Sequence, residues 1–216
     1  MTQLKYLTDW FTPKIADHDE VASARQISAT RIQVLRVNGT PLTIAPVSTQ
    51  TLTEDLVQEI LRDEEATIIC LIPKASHYLW PARQRANQFG SDVQTMSEVF
   101  WSMAEDDPQG FLSKDVAYAR RVLGQHSEVE RVEMICEASM RLIRSGGLPH
   151  ITLSVDYGYE FSEEALVKAL TRHPGVDVVL NSNPNGRATS AALKHAEHAG
   201  VRLLDMSSLM GALRRL

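Results

Sequence analysis

The chain repeats itself. His18 to Leu42 aligns without gaps with His126 to His150 at an offset of 108, with seven identities in 25 pairs, among them His18/His126, Arg36/Arg144 and Gly39/Gly147. Thr53 to Asp106 then aligns with Glu163 to Leu216 at an offset of 110, with nine identities in 54 pairs, including Leu56/Leu166, Ala82/Ala192, Gly90/Gly200 and Met96/Met206. Matched apolar runs, small-residue helices and glycines in the same order predict a tandem duplication of a unit of about 108 residues. We place the first repeat at 1–108 and the second at 109–216.

Each copy reads as two helices followed by βαβαβα. The first helix covers Leu4–Ile15 or Lys114–Leu123. In copy two a longer helix is expected from Val129, Val132, Cys136, Ser139 and Ile143, which fall at helical spacing. Arg141 and Arg144 would cap its end and Gly146-Gly147 would stop it. Strands follow at Leu42–Val47 or Ile151–Asp156, Thr67–Ile72 or Val176–Leu180, and Asp92–Thr95 or Val201–Leu204. Helices at Thr51–Arg62 or Ser162–Arg172, around Ala82/Ala86 or Ala192/Ala196, and from Ser97 or Ser207 separate and end them. Apolar strands alternating with helices imply an α/β fold of mainly parallel strands, three to a copy.

Composition narrows the function classes. At 44% hydrophobic and 23% charged over 216 residues, the chain has ordinary globular composition. No apolar run behind a basic cluster marks a secretory leader, and no stretch nears the roughly 20 apolar residues of a membrane span. Cys70 and Cys136 lack metal-ligand spacing and are read as core filler in a reducing cytoplasm. No metal ligands are assigned and no cofactor is expected. A net charge of −5 speaks against nonspecific nucleic-acid binding. The charge is uneven: 1–108 carries −6 and 109–216 carries +1, so an anionic ligand belongs with the second half.

Ligands of parallel sheets approach the carboxyl ends of the strands. In copy two those ends are Asp156–Glu160, Asn181–Arg187 and Asp205–Ser207. The middle loop, rich in Asn, Pro and Gly and followed by a helix, is built for a turn. It can also hold an anion against Arg187 and the helix N-terminus, with Asn181, Asn183, Asn185, Gly186, Arg187 and Thr189 as the binding set. Asp156 and Glu160 are the candidate pair for acid–base or metal chemistry. Lys74, Ser76 and His77 have the composition of a nucleophilic group but no acid partner. His195 and His198, three apart on one helix, lack a third ligand. His18 and His126 hold matched places, which suggests a shared structural role. Trp80 and Trp101, present in copy one alone, are candidates for a partner surface or self-association.

Residues 176–215 resemble the distal half of restriction-endonuclease-like folds of the Mrr type. The resemblance lies in a strand (Val176–Leu180), a polar loop (Asn181–Thr189), an Ala-spaced helix (Ala192/Ala196) ending in Gly200-Val201, a strand reaching Asp205, and a Leu-rich helix at Leu209. It implies a metal-dependent, nuclease-like hydrolase using Mg²⁺, with Asp156 and Glu160 as its acids. The family's Glu-x-Lys element is not matched, since no lysine follows Glu160 at that spacing. The sequence therefore points first to a non-catalytic duplicated α/β module that binds a small anionic ligand or a protein partner through the copy-two rim.

Overall fold

The computed structural model describes residues 4–73 and 76–214. Backbone contacts divide the chain into two compact units, Met1–Leu112 and Ser113–Leu216.

In the first unit, β1 (Lys5–Tyr6) and α1 (Thr8–Ala16) precede β2 (Val21–Gln26), β3 (Ile32–Arg36) and β4 (Pro41–Ser48). Then come β5 (Thr51–Leu52), α2 (Glu54–Leu61), β6 (Ile68–Ile72), β7 (His77–Tyr78), α3 (Trp80–Gln88), β8 (Asp92–Thr95) and α4 (Met96–Ser102). The second unit runs α5 (Lys114–Gly124), β9 (Val129–Met134), β10 (Ser139–Arg144), a 3-10 turn at Ser145–Gly147, and β11 (Ile151–Asp156). It continues with β12 (Glu160–Phe161), α6 (Glu163–Arg172), β13 (Val178–Asn181), β14 (Arg187–Ala188), α7 (Ser190–His198), β15 (Arg202–Asp205) and α8 (Met206–Ala212).

The sheets are ordered β2-β3-β4-β6-β8 and β15-β13-β11-β10-β9. β1 joins the first sheet by pairing antiparallel with β4; along each five-strand order the first three strands in sequence are antiparallel and the last two add in parallel. The fold is thus mixed α/β, and the expected long second helix is an antiparallel hairpin in both units. Val129, Val132 and Cys136 fall at helical spacing because a turn at 135–138 interrupts two strands, and a register shift at Ile143/Arg144 breaks the alternation further. Cys136 lies in that turn, and Arg144 ends β10 instead of capping a helix.

Apolar residues on both faces of the first sheet make two core layers. Phe11, Ile15, Ile44, Ile68 and Val99 pack on the side of α1 and α4. Ala45, Val57, Ile69, Ala82 and Val93 pack on the side of α2 and α3. β6 is buried at all five positions, as a central parallel strand is. In the second unit, Leu166, Ala169, Val179, Ala192 and Ala196 form the layer under α6 and α7. The alanines let the helices lie close to the sheet.

The terminal helices start sooner after their strands than Ser97 and Ser207 suggest. Thr95 and Asp205 are the N-caps, accepting from Glu98 N and Ser208 N. Two matched contacts recur. His18 Nδ1 accepts from Glu20 N and His126 Nδ1 from Glu128 N, both at 3.2 Å. Arg36 and Arg144, both buried, donate to the carbonyls of Met103 and Leu213, just past α4 and α8.

Candidate functional site

Parallel pairing places Asp156, Asn181 and Asp205 side by side at the carboxyl ends of β11, β13 and β15. A cleft of about 630 Å³ opens beside them, lined by Lys114, Asp115, Tyr118, Tyr157, Asn181–Pro184 and Asp205–Ser207. The sequence reading reached this rim from the strand ends. It missed Lys114, Asp115 and Tyr118, which come from the first turns of α5, because nothing in the sequence brings that helix to the strand ends.

Four of the six candidate binding residues hold the loop itself. Asn181, buried at 5% exposure, accepts from Gly158 N and Asn183 N through Oδ1 and donates to Gly158 O through Nδ2. It ties the loop after β11 to the loop after β13. Asn183 Oδ1 accepts from Asn185 N at 2.9 Å, and Gly186 N donates to Asn183 O at 3.0 Å, closing the turn. Gly186 has no room for a side chain: a Cβ there would lie 2.4 Å from both Asn181 Nδ2 and Gly158 O. Thr189 caps α7 through Ala192 N. Buried amides fixed in this way make a rigid loop, since an unpaired polar group would cost about 1–3 kcal/mol.

Asn185 and Arg187 remain turned outward. Arg187 pairs by its backbone with Glu160 in the short β12–β14 ladder, and its N–H donates to Tyr159 O at 2.8 Å. Its side chain is exposed and forms no ion pair among the described residues. With Tyr159, Pro184, Asn185 and Gly186 it lines a smaller hollow of about 420 Å³, in which it is the one charged side chain. Pro184 borders both hollows.

Asp156 is half-buried, and its backbone carbonyl accepts from Ser182 N and Oγ. Burial pushes its carboxyl above the usual range, against the opposing pull of Arg172 and of the Tyr157 N–H. Glu160 is exposed on β12. Asp205 spends one oxygen on Ser208 N at 2.6 Å.

The remaining candidates are dispersed. Lys74 lies outside the described residues. Ser76 is buried, and His77 Nε2 sits 3.2 Å from Thr51 Oγ1. His195 Nδ1 meets Glu163 at 3.0 Å and His198 Nδ1 meets Lys194 O at 2.7 Å, so these two histidines serve separate contacts. Trp80 packs on the first unit's core with the Arg83 guanidinium 5.2 Å from its ring centre, whereas Trp101 is 58% exposed.

One cluster was not singled out by sequence. Cys136 Sγ lies 2.8 Å from Ser139 Oγ and 3.3 Å from His173 Nδ1, with Glu137 alongside. Burial first, and the Glu137 charge second, push the Cys136 thiol up to about 12, so it is protonated at neutral pH. His173 is 37 positions away in sequence and reaches Cys136 through tertiary folding alone.

Among the described residues, no helix is long and apolar enough to cross a membrane. No protein-family model, curated protein or solved structure matches this chain.

Proposed function

We propose that the second unit is a binding module for a small anionic ligand, held at the loop that joins β13 to α7. The observation that carries this reading is Arg187: an exposed guanidinium without an ion pair among the described residues, on a loop fixed by Asn181 and Gly186. A rigid loop that presents a free cation loses little entropy on binding. The anionic group lies over Arg187 and Asn185, and the body of the ligand crosses Pro184 into the cleft beside Tyr157 and Tyr118. Asp115 and Asp205 in that cleft favour a ligand whose far end carries hydrogen-bond donors.

The Mg²⁺-dependent hydrolase reading uses the same rim through Asp156 and Glu160. It ranks second because burial disfavours charge on Asp156, and Glu160 stands exposed on β12 without the lysine that the resemblance calls for. We also read the two units as copies of one ancestral unit. The repeated element order, the matching strand orders and the paired His18/His126 and Arg36/Arg144 contacts support this.

Calorimetric titration with inorganic phosphate, citrate and a nucleoside monophosphate tests the binding reading. At least one should bind, and Arg187→Ala should weaken it about tenfold or more, as expected for a charge-assisted contact. The denaturant midpoint should move by no more than about 0.5 kcal/mol equivalent, as for an exposed side chain. A large stability loss with unchanged binding would sink the reading.

A further inference from the structure

We propose that Cys136, Glu137 and His173 form a site for one divalent transition-metal ion of the zinc class. Cys136 and Glu137 lie in the turn between β9 and β10, and His173 is the residue that ends α6. The Cys136 sulfur, a Glu137 carboxylate oxygen and a His173 ring nitrogen all lie within 4.8 Å of one another; Cys136 and His173 are buried, and Glu137 is half-buried with one carboxylate oxygen shut off from solvent. The sulfur-to-nitrogen edge is already 3.3 Å. Zinc bonds of about 2.0–2.3 Å in a tetrahedron set ligand atoms roughly 3.3–3.8 Å apart. The widest edge of the triangle therefore needs to close by no more than about 1–1.5 Å.

The donor set decides the class of ion. A thiolate with an imidazole and a carboxylate suits Zn²⁺ or Co²⁺, whereas Mg²⁺ and Ca²⁺ take oxygen ligands. Three protein ligands leave a fourth tetrahedral position for water or another group. Binding breaks the Cys136 S–H bond, forms the sulfur–metal bond and releases the proton to solvent, while His173 binds as the neutral imidazole.

The fold does not require these three residues. The aligned positions of the first unit are Ser28, Ala29 and Asp63. There the same junction is made by Ser28 and Thr30 on Glu64, and by Arg31 donating to the carbonyls of Ile60, Glu64 and Glu65. Only the second unit gathers sulfur, nitrogen and oxygen donors at this point.

The test is a Co²⁺ titration of the chelator-treated full chain, followed by absorption. We expect a sulfur-to-cobalt charge-transfer band and tetrahedral d–d bands that saturate at one equivalent. Zn²⁺ should displace the cobalt and Mg²⁺ at the same concentration should not. Cys136→Ser should abolish the charge-transfer band and Cys70→Ala should keep it. His173→Gln should weaken Co²⁺ binding by more than the about 10–100-fold lost when only a ligand's hydrogen-bond partner is disturbed. Absence of the band in the wild-type chain overturns the proposal, as does its survival in Cys136→Ser or its loss in a folded Cys70→Ala. Should Cys136→Ser not fold, X-ray absorption of the cobalt-loaded wild type decides, and no sulfur among the bound atoms overturns the proposal.

Discussion

Matched rungs near the carboxyl ends of the two sheets share a backbone and differ in chemistry. In the first unit, Val47, Leu71 and Thr95 pair across β4, β6 and β8. In the second, Asp156, Asn181 and Asp205 pair across β11, β13 and β15. Val47 and Leu71 are buried and apolar, and Thr95, the polar member of the rung, caps α4. In the second sheet Asp205 caps α8 and Asn181 ties two loops, so two of its three polar groups serve the fold, and the cleft opens beside them. The outer edges differ in the opposite sense. In the first unit Arg83 and Asp92 form a buried bidentate pair at 2.7 and 2.8 Å, joined by Tyr78, Gln94 and the backbone N–H of Gly110. The aligned residues of the second unit, Leu193 and Arg202, are both exposed.

The largest effect is expected at that buried pair. Arg83→Ala removes the guanidinium partner of the buried Asp92 carboxyl, and should cost about 3–5 kcal/mol in denaturant unfolding. Leu193→Ala, its counterpart, should change stability by no more than about 0.5 kcal/mol. Equal losses at both sites would erase the contrast between the two edges.

Gly186→Ala comes next. The added Cβ meets a buried amide and a backbone carbonyl at 2.4 Å, so the loop must shift, at a cost of about 1–3 kcal/mol. The first unit carries Ser76 at the aligned position, so Ser76→Ala should be tolerated with a change below about 1 kcal/mol. Ligand binding at Arg187 should weaken in Gly186→Ala while secondary structure by circular dichroism is kept. Unchanged binding would mean that the loop's rigidity does not matter to the site.

How far the sequence carried these conclusions varied by element. The parallel strands were legible because β6 and β13 are short apolar runs and β8 and β15 follow helix-ending glycines, and Ile151–Asp156 and Asp92–Thr95 match their expected bounds. The hairpins were not. β2 reads Val-Ala-Ser-Ala-Arg-Gln, with one strong strand former, and in β9–β10 the turn and register shift scatter the alternation into a false helical stripe. At the site, the strand-end rule found Asn181 and Asp205 because it depends on topology alone. It did not separate Asn181, which holds the loop, from Arg187, which faces outward, since that depends on the reach of Gly158 from another loop. The Cys136–His173 contact left no local signal, because its partners are joined only by the packing of α6 on the hairpin turn.

The smallest expected effect is a slope with pH, and it sharpens the rung comparison at its centre. Burial holds the Asp156 carboxyl above its ordinary value in the folded chain, with Arg172 and the Tyr157 N–H pulling the other way. The unfolded chain loses this proton near about pH 3.9, the ordinary aspartate value. Above that, the folded state binds more protons than the unfolded one until its own raised pKa is passed. Stability contributed by Asp156 is therefore full below the unfolded pKa and falls as pH rises through the folded one. Asp156→Asn removes this dependence while keeping a hydrogen-bonding side chain on the rung. Urea midpoints of both proteins across about pH 3 to 8 should show the wild type losing ground to the variant as pH rises, then running parallel to it. A difference that moves the other way would mean that Arg172 outweighs burial and holds Asp156 as a carboxylate. The fold would then favour the charged form of Asp156, and the Mg²⁺-dependent reading of the same rim would gain over the binding one.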